Sequence, residues 1–267
     1  LLSGAALIYV SLGILLGLLV FHFSSFHGVE KRAGIGLCSF GNSAFLPLTL
    51  MEIFPHTVPM IADSFGTTVP ALYISSFVLA QSPLLWSVGY TLISGSTRGL
   101  RLSKVINAPI VAIFLGFVSL ITGFNTLLTR EHFFLYHVFE GARMVGSTTL
   151  PLILISIGAM IATIETHVEG KKNLASMALR VVAVRYLIFP AMFFASYFLL
   201  LRNLDFLTPT HIWVLFLEAH LPPATNLALM ANKSGVNEDY TAFTTLITYG
   251  GYLVVLPLYL SFFLYIL

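Results

Sequence analysis

Four small polar residues lie in pairs within two otherwise apolar stretches of the chain. Asn42 and Ser43 interrupt the first stretch, and Thr225 and Asn226 interrupt the second. An amide side chain can donate hydrogen bonds to a carboxylate and accept one from an N–H or O–H group, and a hydroxyl can do both. These residue types suit the binding of a small organic anion, and we predict that all four contact one. The simpler alternative is that each asparagine only caps its own interrupted helix.

Glycine and proline residues accompany both pairs and predict a break in each helix. Gly41 and Pro47 flank the first pair, and Pro222 and Pro223 precede the second. A proline inside a helix lacks the N–H donor, and its ring obstructs the carbonyl four residues earlier. Backbone groups freed at membrane depth must be buried in protein or line a wet cavity, because lipid cannot bond them. The N-terminus of a half-helix also carries about half a positive charge, which suits a carboxylate.

Three ionisable residues are predicted to lie deep in apolar segments. Glu218 is about seven residues into its segment and Arg185 about ten, which corresponds to depths of roughly 10 and 15 Å. Ionisable residues at such depth are usually functional. Arg185 either pairs with Glu218 or attracts an anionic substrate, and we include it among the predicted substrate-binding residues. Glu218 and His220 are the candidates for proton coupling; the alternatives are a buried ion pair or hydrogen bond for Glu218 and simple packing for His220.

The composition indicates a membrane protein. Hydrophobic residues make up 57% of the chain and charged residues 9%, whereas charged residues make up about 25% of soluble domains. The net charge of +2 gives no indication of nucleic-acid binding. The single cysteine, Cys38, excludes a disulfide framework and C-x-x-C metal sites. We expect no cofactor and no metal, and the sequence lacks the H-E-x-x-H or paired-aspartate patterns of an intramembrane enzyme.

A window of about 20 residues predicts eight membrane spans. They cover roughly 1–23, 32–54, 68–94, 105–125, 138–162, 175–201, 211–231 and 241–266. The linkers after the first, third, fifth and seventh spans contain eight Lys and Arg residues, whereas the other linkers contain two. Because positive charge concentrates on the cytoplasmic side, we predict a non-cytoplasmic C-terminus.

The two breaks also predict an internal repeat. Aligning the broken span 32–54 with the broken span 211–231 makes 105–267 a five-helix repeat and 1–95 the last three helices of another. On this alignment the first two helices of that repeat are missing. We expect residues to precede Leu1, because the chain has no initiator methionine and starts within a span. Repeats of five helices have opposite orientations in the membrane, because five is odd. The predicted fold is an all-α polytopic membrane protein with inverted five-helix repeats and two crossing broken helices.

Three motifs together resemble the auxin efflux carrier family. They are G-N-S-A-F-L-P-L at 41–48, V-R-Y-L-I-F-P-A at 184–191 and E-A-H-L-P-P-A-T-N-L at 218–227. The family comprises the plant PIN-FORMED and PIN-LIKES transporters and their bacterial permease relatives. The L-P-P-A-T-N break is more similar to the PIN-LIKES and bacterial branches than to the PIN-FORMED branch.

The resemblance implies a secondary transporter that exports a small organic anion, auxin (indole-3-acetic acid) or a related carboxylate, from the cytoplasm. It implies ten helices of which the fourth and ninth cross, an elevator-type movement of the crossing helices, and a scaffold that also forms a homodimer contact. The implied location is the plasma membrane or bacterial inner membrane, or the endoplasmic reticulum for a PIN-LIKES type. Two alternatives stay open: a sodium-coupled organic anion carrier of the bile-acid-transporter type, and a membrane module that senses a ligand without transporting it.

Overall fold

Uninterrupted apolar runs form the continuous long helices of the protein. The computed structural model describes residues 1–66, 72–95, 108–148, 151, 152, 155, 159 and 171–267, and its named elements are helical throughout this part. In chain order they are α1 (Leu2–His22), α2 (Gly28–Ser39), α3 (Phe45–Thr57), α4 (Pro59–Phe65), α5 (Leu72–Leu84), α6 (Tyr90–Ser94), α7 (Ala108–Thr122), α8 (Asn125–Leu128), α9 (Phe134–Ser147), α10 (Lys171–Ala183), α11 (Phe189–Leu199), α12 (Pro209–Ala219), α13 (Thr225–Ser234) and α14 (Glu238–Ile266).

Two of the long helices contain a π-helical turn beside a proline. Leu85–Gly89 joins α5 to α6 just after Pro83, and Val184–Ile188 joins α10 to α11 just before Pro190. Since proline cannot donate to the regular ladder, the hydrogen-bond pattern shifts locally. Such π-helical turns rotate the side chains that follow and are frequent at functional sites.

Four helices in the described part are long and apolar enough to cross a membrane. They are Leu2–His22, Leu72–Ser94, Asn173–Asn203 and Glu238–Ile266, and they correspond to the predicted spans 1–23, 68–94, 175–201 and 241–266. A bent pair of helices, α3 and α4 with 108° between them, would give a fifth crossing. This part of the fold confirms an all-helical chain with several apolar helices.

The count of eight spans and the inverted repeats 1–95 and 105–267 stay predictions. The predicted spans 32–54 and 211–231 are each divided between two half-helices. The predicted span 105–125 includes α7, and its residues 105–107 lie outside the described part. The predicted span 138–162 includes the end of α9, but most of its residues after 148 lie outside the described part.

Two glycines allow α1 to pack closely against α2. Gly13 and Gly17 are both buried, four residues apart on one face of α1. A Cβ atom added to Gly13 would lie 2.5 Å from Cα of Ser39, and one added to Gly17 would lie 3.0 Å from Cα of Ile35. Paired small residues at this spacing are typical of close helix contacts in membranes. The contact positions the end of α2, where the first break begins.

Gly13→Ala is expected to lower the thermal stability of the purified protein by an amount corresponding to about 1–3 kcal/mol, because the added methyl group meets backbone atoms. Gly4→Ala on the same helix is the matched control, since no atom lies within 4 Å of its added Cβ. Thermal unfolding of both variants in detergent checks the prediction. Equal midpoints for the two variants would show that the close helix contact is not required.

A cluster of stacked aromatic side chains fixes the half-helix α12 that leads into the second break. The ring of Phe216 stacks on Trp213 at 5.6 Å and on Phe263 at 4.3 Å between centroids. Phe193 from α11 packs edge-to-face against Phe216 and Phe263. Ring pairs in these orientations stabilise a fold by more than their buried area alone. The cluster therefore holds α11, α12 and α14 together next to the second break.

Candidate functional site

The two broken segments meet and pair with each other. Residues 40–44 separate α2 from α3, and residues 220–224 separate α12 from α13. Backbone N–H and C=O groups that the breaks leave without a helical partner bond to the other break, since lipid offers no hydrogen-bond partner. The contacts are an antiparallel bridge between Gly41 and Pro223, a hydrogen bond from the Asn42 N–H to the Pro222 carbonyl (3.0 Å), and one from the Ala224 N–H to the Phe40 carbonyl (2.9 Å).

The residues expected to form the breaks occupy different positions in them. Pro222 and Pro223 lie within the second break, and Gly41 lies within the first. Pro47 is the third residue of α3, in the first turn of the half-helix, where a missing N–H removes no helical hydrogen bond. A Cβ atom added to Gly41 would lie 2.6 Å from Nη2 of Arg185 and 3.3 Å from Cβ of Leu221, so the guanidinium would have to move.

A cavity of about 370 Å³ lies against this crossing. Its wall includes the N-terminal ends of both outgoing half-helices, at Ala44 and Phe45 of the first and Ala224 and Asn226 of the second. Neither α3 nor α13 has a side chain hydrogen-bonded to its N-terminal N–H groups. The alternative that Asn42 and Asn226 cap their own helices therefore does not hold. Two uncapped N-termini give the cavity partial positive charge and free N–H donors.

Three of the five predicted substrate-binding residues line the cavity. Asn42, Ser43 and Asn226 are in its wall. Asn42 is 6% exposed, and its Nδ2 donates to Oη of Tyr249 at 2.6 Å, which ties α14 to the crossing. Thr225 is buried as the first residue of α13 and is absent from the described wall.

Gln81 is a wall residue that the sequence reasoning missed. It lies on α5, is 6% exposed, and its Nε2 donates to the carbonyl of Gly41 at 3.1 Å. Ser82 and Trp86 follow it along the same wall. The available signal was the polar pair Gln81-Ser82 directly before Pro83, since polar residues within an apolar span usually face a protein interior or cavity.

Arg185 does not form an ion pair with Glu218, which was one of the two alternatives for this residue. Within the described residues the one ion pair joins Arg143 to Glu140 at 3.4 Å, as the i, i+3 spacing of those two residues predicts. Arg185 lies in the π-helical turn Val184–Ile188, and its guanidinium reaches the backbone of Gly41 and the ring of Phe189, 5.3 Å from the centroid. Its side chain is 2% exposed, and Nε and Nη2 have no hydrogen-bond partner. The Arg185 side chain therefore lies next to the first break but is not part of the described cavity wall.

Glu218 and His220, the two candidates for proton coupling, have different surroundings. Glu218 is 2% exposed, and its Oε1 has no hydrogen-bond partner. Ser43 lies beside its carboxyl group, while Oγ of Ser43 donates to the Gly41 carbonyl at 3.4 Å. Nδ1–H of His220 donates to the Phe216 carbonyl at 2.6 Å. The imidazole of His220 is fully buried among aromatic rings of Phe193, Phe194, Phe216 and Tyr259. Only Glu218 is connected to the cavity, through Ser43.

Comparison with known proteins agrees with the resemblance drawn from the three motifs. The family model described as membrane transport protein matches residues 96–260. The chain is 28% identical over 154 residues to Protein PIN-LIKES 7 of Arabidopsis thaliana, a match that covers 55% of this chain and 37% of that protein. The matched chain thus spans little more than a third of that relative's length, and no solved structure matches it.

The family model describes transporters and not enzymes. Four apolar helices of the described part are long enough to cross a bilayer. Together with the family match, they indicate that the chain crosses the membrane more than once. The predicted resemblance is confirmed by the match to the family and to a PIN-LIKES protein. The chain is a multi-pass integral membrane protein that belongs to the membrane transport protein family, the family of the auxin efflux carriers.

Proposed function

We propose that the protein is a secondary transporter that exports a small organic anion, auxin-like or a related carboxylate, from the cytoplasm. The observation that carries the proposal is the cavity between the uncapped N-termini of α3 and α13, with Asn42 and Asn226 in its wall. Half-helix N-termini at membrane depth attract carboxylates in the same way as the termini of broken helices in other transporters. The amide groups supply directed donors beside that positive potential.

The remaining wall favours an anion with one charged end and one flat apolar end. Phe45 and Trp86 contribute aromatic surface, while Asn42, Ser43 and Asn226 are the polar residues at the crossing. Aromatic rings pack well against another planar ring, and a volume of about 370 Å³ is at the lower end for small-molecule sites. These features support indole-3-acetate, whose flat ring suits the aromatic surface of Phe45 and Trp86, although Ser75, Gln81 and Ser82 add polar groups to the same wall.

The crossing also supports an elevator-type mechanism. Since the two breaks are bonded to each other through backbone groups at Gly41–Pro223 and beside it, we expect the two broken helices to move as one unit and carry the cavity with them. The antiparallel sense of the bridge is what inverted repeats would produce. A homodimer formed through the scaffold, a non-cytoplasmic C-terminus, and a location in the plasma, bacterial inner or endoplasmic reticulum membrane belong to the same proposal.

Flux through purified protein in liposomes tests the proposal. We expect saturable uptake of labelled indole-3-acetate into proteoliposomes, with weaker competition by succinate, and no flux into protein-free liposomes. Binding of indole-3-acetate without flux would favour the ligand-sensing module, and flux that requires sodium would favour the bile-acid-transporter type. Absence of both binding and flux for either compound would contradict the proposed substrate class.

A further inference from the structure

Glu218 has an unusual position for an acidic residue. Among the described residues it is the one buried carboxyl group, and its Oε1 has no hydrogen-bond partner. The ionisable groups that face it come from three helical segments: Tyr9 on α1, Arg185 between α10 and α11, and Tyr252 on α14. The remaining neighbour is the hydroxyl of Ser43 from the first break. Arg185 is thus the one cation that opposes the charge of this carboxylate within the described part.

Ser43 lies between Glu218 and the cavity. This residue is part of the cavity wall and lies beside the Glu218 carboxyl group, and its Oγ donates to the Gly41 carbonyl at 3.4 Å. That hydrogen bond is long, so the hydroxyl can turn to the carboxyl group. A hydroxyl group can donate and accept at once. A water molecule in the cavity can therefore pass a proton to Oγ of Ser43 while Oγ passes its own proton to the carboxylate. The path from the cavity to Glu218 is one side chain long, whereas aromatic rings enclose His220.

A bound anion adds a second negative charge near Glu218. Arg185 is the one described cation that opposes the Glu218 carboxylate, although the two groups make no ion pair, and the partial positive charge of the half-helix N-termini is directed at the anion itself. Two negative charges close together at membrane depth disfavour the ionised carboxylate. Uptake of one proton by Glu218 removes this repulsion, and release of the proton with the anion restores the empty state.

We propose that Glu218 is the proton-binding residue of the carrier, and that one proton binds at Glu218 through Ser43 with each anion and leaves with it. This inference rests on the proposed function and adds the coupling ion to it. It assigns the role to Glu218 alone of the two candidate residues. The step forms an O–H bond at Glu218 and breaks one in a hydronium ion or buffer acid of the aqueous phase, and the cavity water that relays the proton is left unchanged.

The dependence of anion affinity on pH tests this inference. The probe is indole-3-acetate, measured by equilibrium binding to the purified protein between pH 6 and 8, where an ordinary carboxylic acid with a pKa of about 4 stays ionised. For the wild type we expect the dissociation constant to rise with pH, by up to about tenfold per pH unit when one proton is linked to binding. For Glu218→Gln, a neutral isostere, we expect no pH dependence.

Glu52→Gln is the matched control, because Glu52 is an exposed acid on α3; it should keep the wild-type pH dependence. A wild type whose affinity does not change with pH, or a Glu218→Gln variant that keeps the full dependence, overturns the proton inference and leaves the proposed function standing. Failure of the wild type to bind indole-3-acetate or succinate at any pH overturns the proposed function and this inference with it.

A measurement on the wild type covers the case in which Glu218→Gln fails to fold. Infrared difference spectra recorded at pH 7 before and after addition of indole-3-acetate should show a new carbonyl band of a protonated carboxylic acid, shifted in heavy water. Because Glu218 is the one buried carboxyl group of the described chain, we assign that band to it. A spectrum without the band overturns the inference.

Discussion

Asn42→Ala is expected to remove measurable flux of indole-3-acetate from proteoliposomes while the protein remains folded. The amide of Asn42 lies in the cavity wall beside the uncapped N-terminus of α3. A hydrogen bond to a charged group contributes about 1.5–3 kcal/mol, so loss of the amide should weaken anion binding by about tenfold to a hundredfold. Asn226→Ala removes the equivalent group from the second half-helix, and we expect the same direction of change. Equilibrium binding and flux, measured on the same preparation, check the prediction.

Tyr249→Phe separates contact with the anion from a purely structural role of the amide. Nδ2 of Asn42 donates to Oη of Tyr249 at 2.6 Å, so the amide also joins α14 to the first break. If that bond were the whole role of Asn42, losing the tyrosine hydroxyl would cost as much as losing the amide. We expect Tyr249→Phe to keep most of the binding, because the amide stays in the cavity wall.

Asn232→Ala is the control for loss of an amide elsewhere. Its side chain is exposed on α13 and donates to Glu238 at 3.2 Å, away from the described cavity wall. We expect wild-type flux from this variant. The prediction for Asn42 is contradicted if Asn42→Ala transports like the wild type, or if Tyr249→Phe loses flux as completely as Asn42→Ala.

The locations of the two breaks could be predicted from residue types alone. Gly41 and the Pro222-Pro223 pair are unfavourable within a helix. Glycine loses more backbone entropy than other residues, and proline lacks the N–H donor. The extent of each break could not be predicted as well. Pro47 fits the first turn of α3, where proline is tolerated, so a proline in the sequence indicates a boundary within a few residues and not the break itself.

The absence of an ion pair between Arg185 and Glu218 shows that depth along a helix does not determine which side chains meet. Both residues are buried as predicted, and each lies within a segment of the expected span. Residue number gives the distance along a helix axis, but the direction of a side chain depends on rotation about that axis. The π-helical turn Val184–Ile188 changes this rotation at Arg185, so the guanidinium reaches Gly41 and not the carboxylate.

Gln81 marks a different limit of sequence reasoning. A single glutamine in an apolar span has no motif and no fixed spacing to another polar group. Its role becomes visible only when the first break is in place, because the partner of its Nε2 is a main-chain carbonyl, that of Gly41. Side chains that satisfy an irregular backbone are specified by the fold, and residue type alone indicates only that they face protein or a cavity.

Arg185→Gln is expected to destabilise the protein, because it leaves the Glu218 carboxylate buried without an opposing charge. Breaking a buried ion pair typically costs about 3–5 kcal/mol, and we expect a smaller cost here because the two groups make no ion pair. The double variant Arg185→Gln/Glu218→Gln removes both charges, and we expect it to be more stable than Arg185→Gln alone. Thermal unfolding of the wild type, both single variants and the double variant in one detergent gives the complete cycle.

Arg143→Gln is the matched control for loss of an arginine from an ion pair. Its side chain is 72% exposed and pairs with Glu140 on the surface of α9, where ion pairs contribute little. We expect a midpoint close to that of the wild type. Additive losses in the cycle of Arg185 and Glu218 would show that the two groups are energetically independent. Non-additive losses would show that the cation and the carboxylate interact without direct contact. A further negative charge in the cavity would then also act on Glu218, which is what linkage between anion and proton requires.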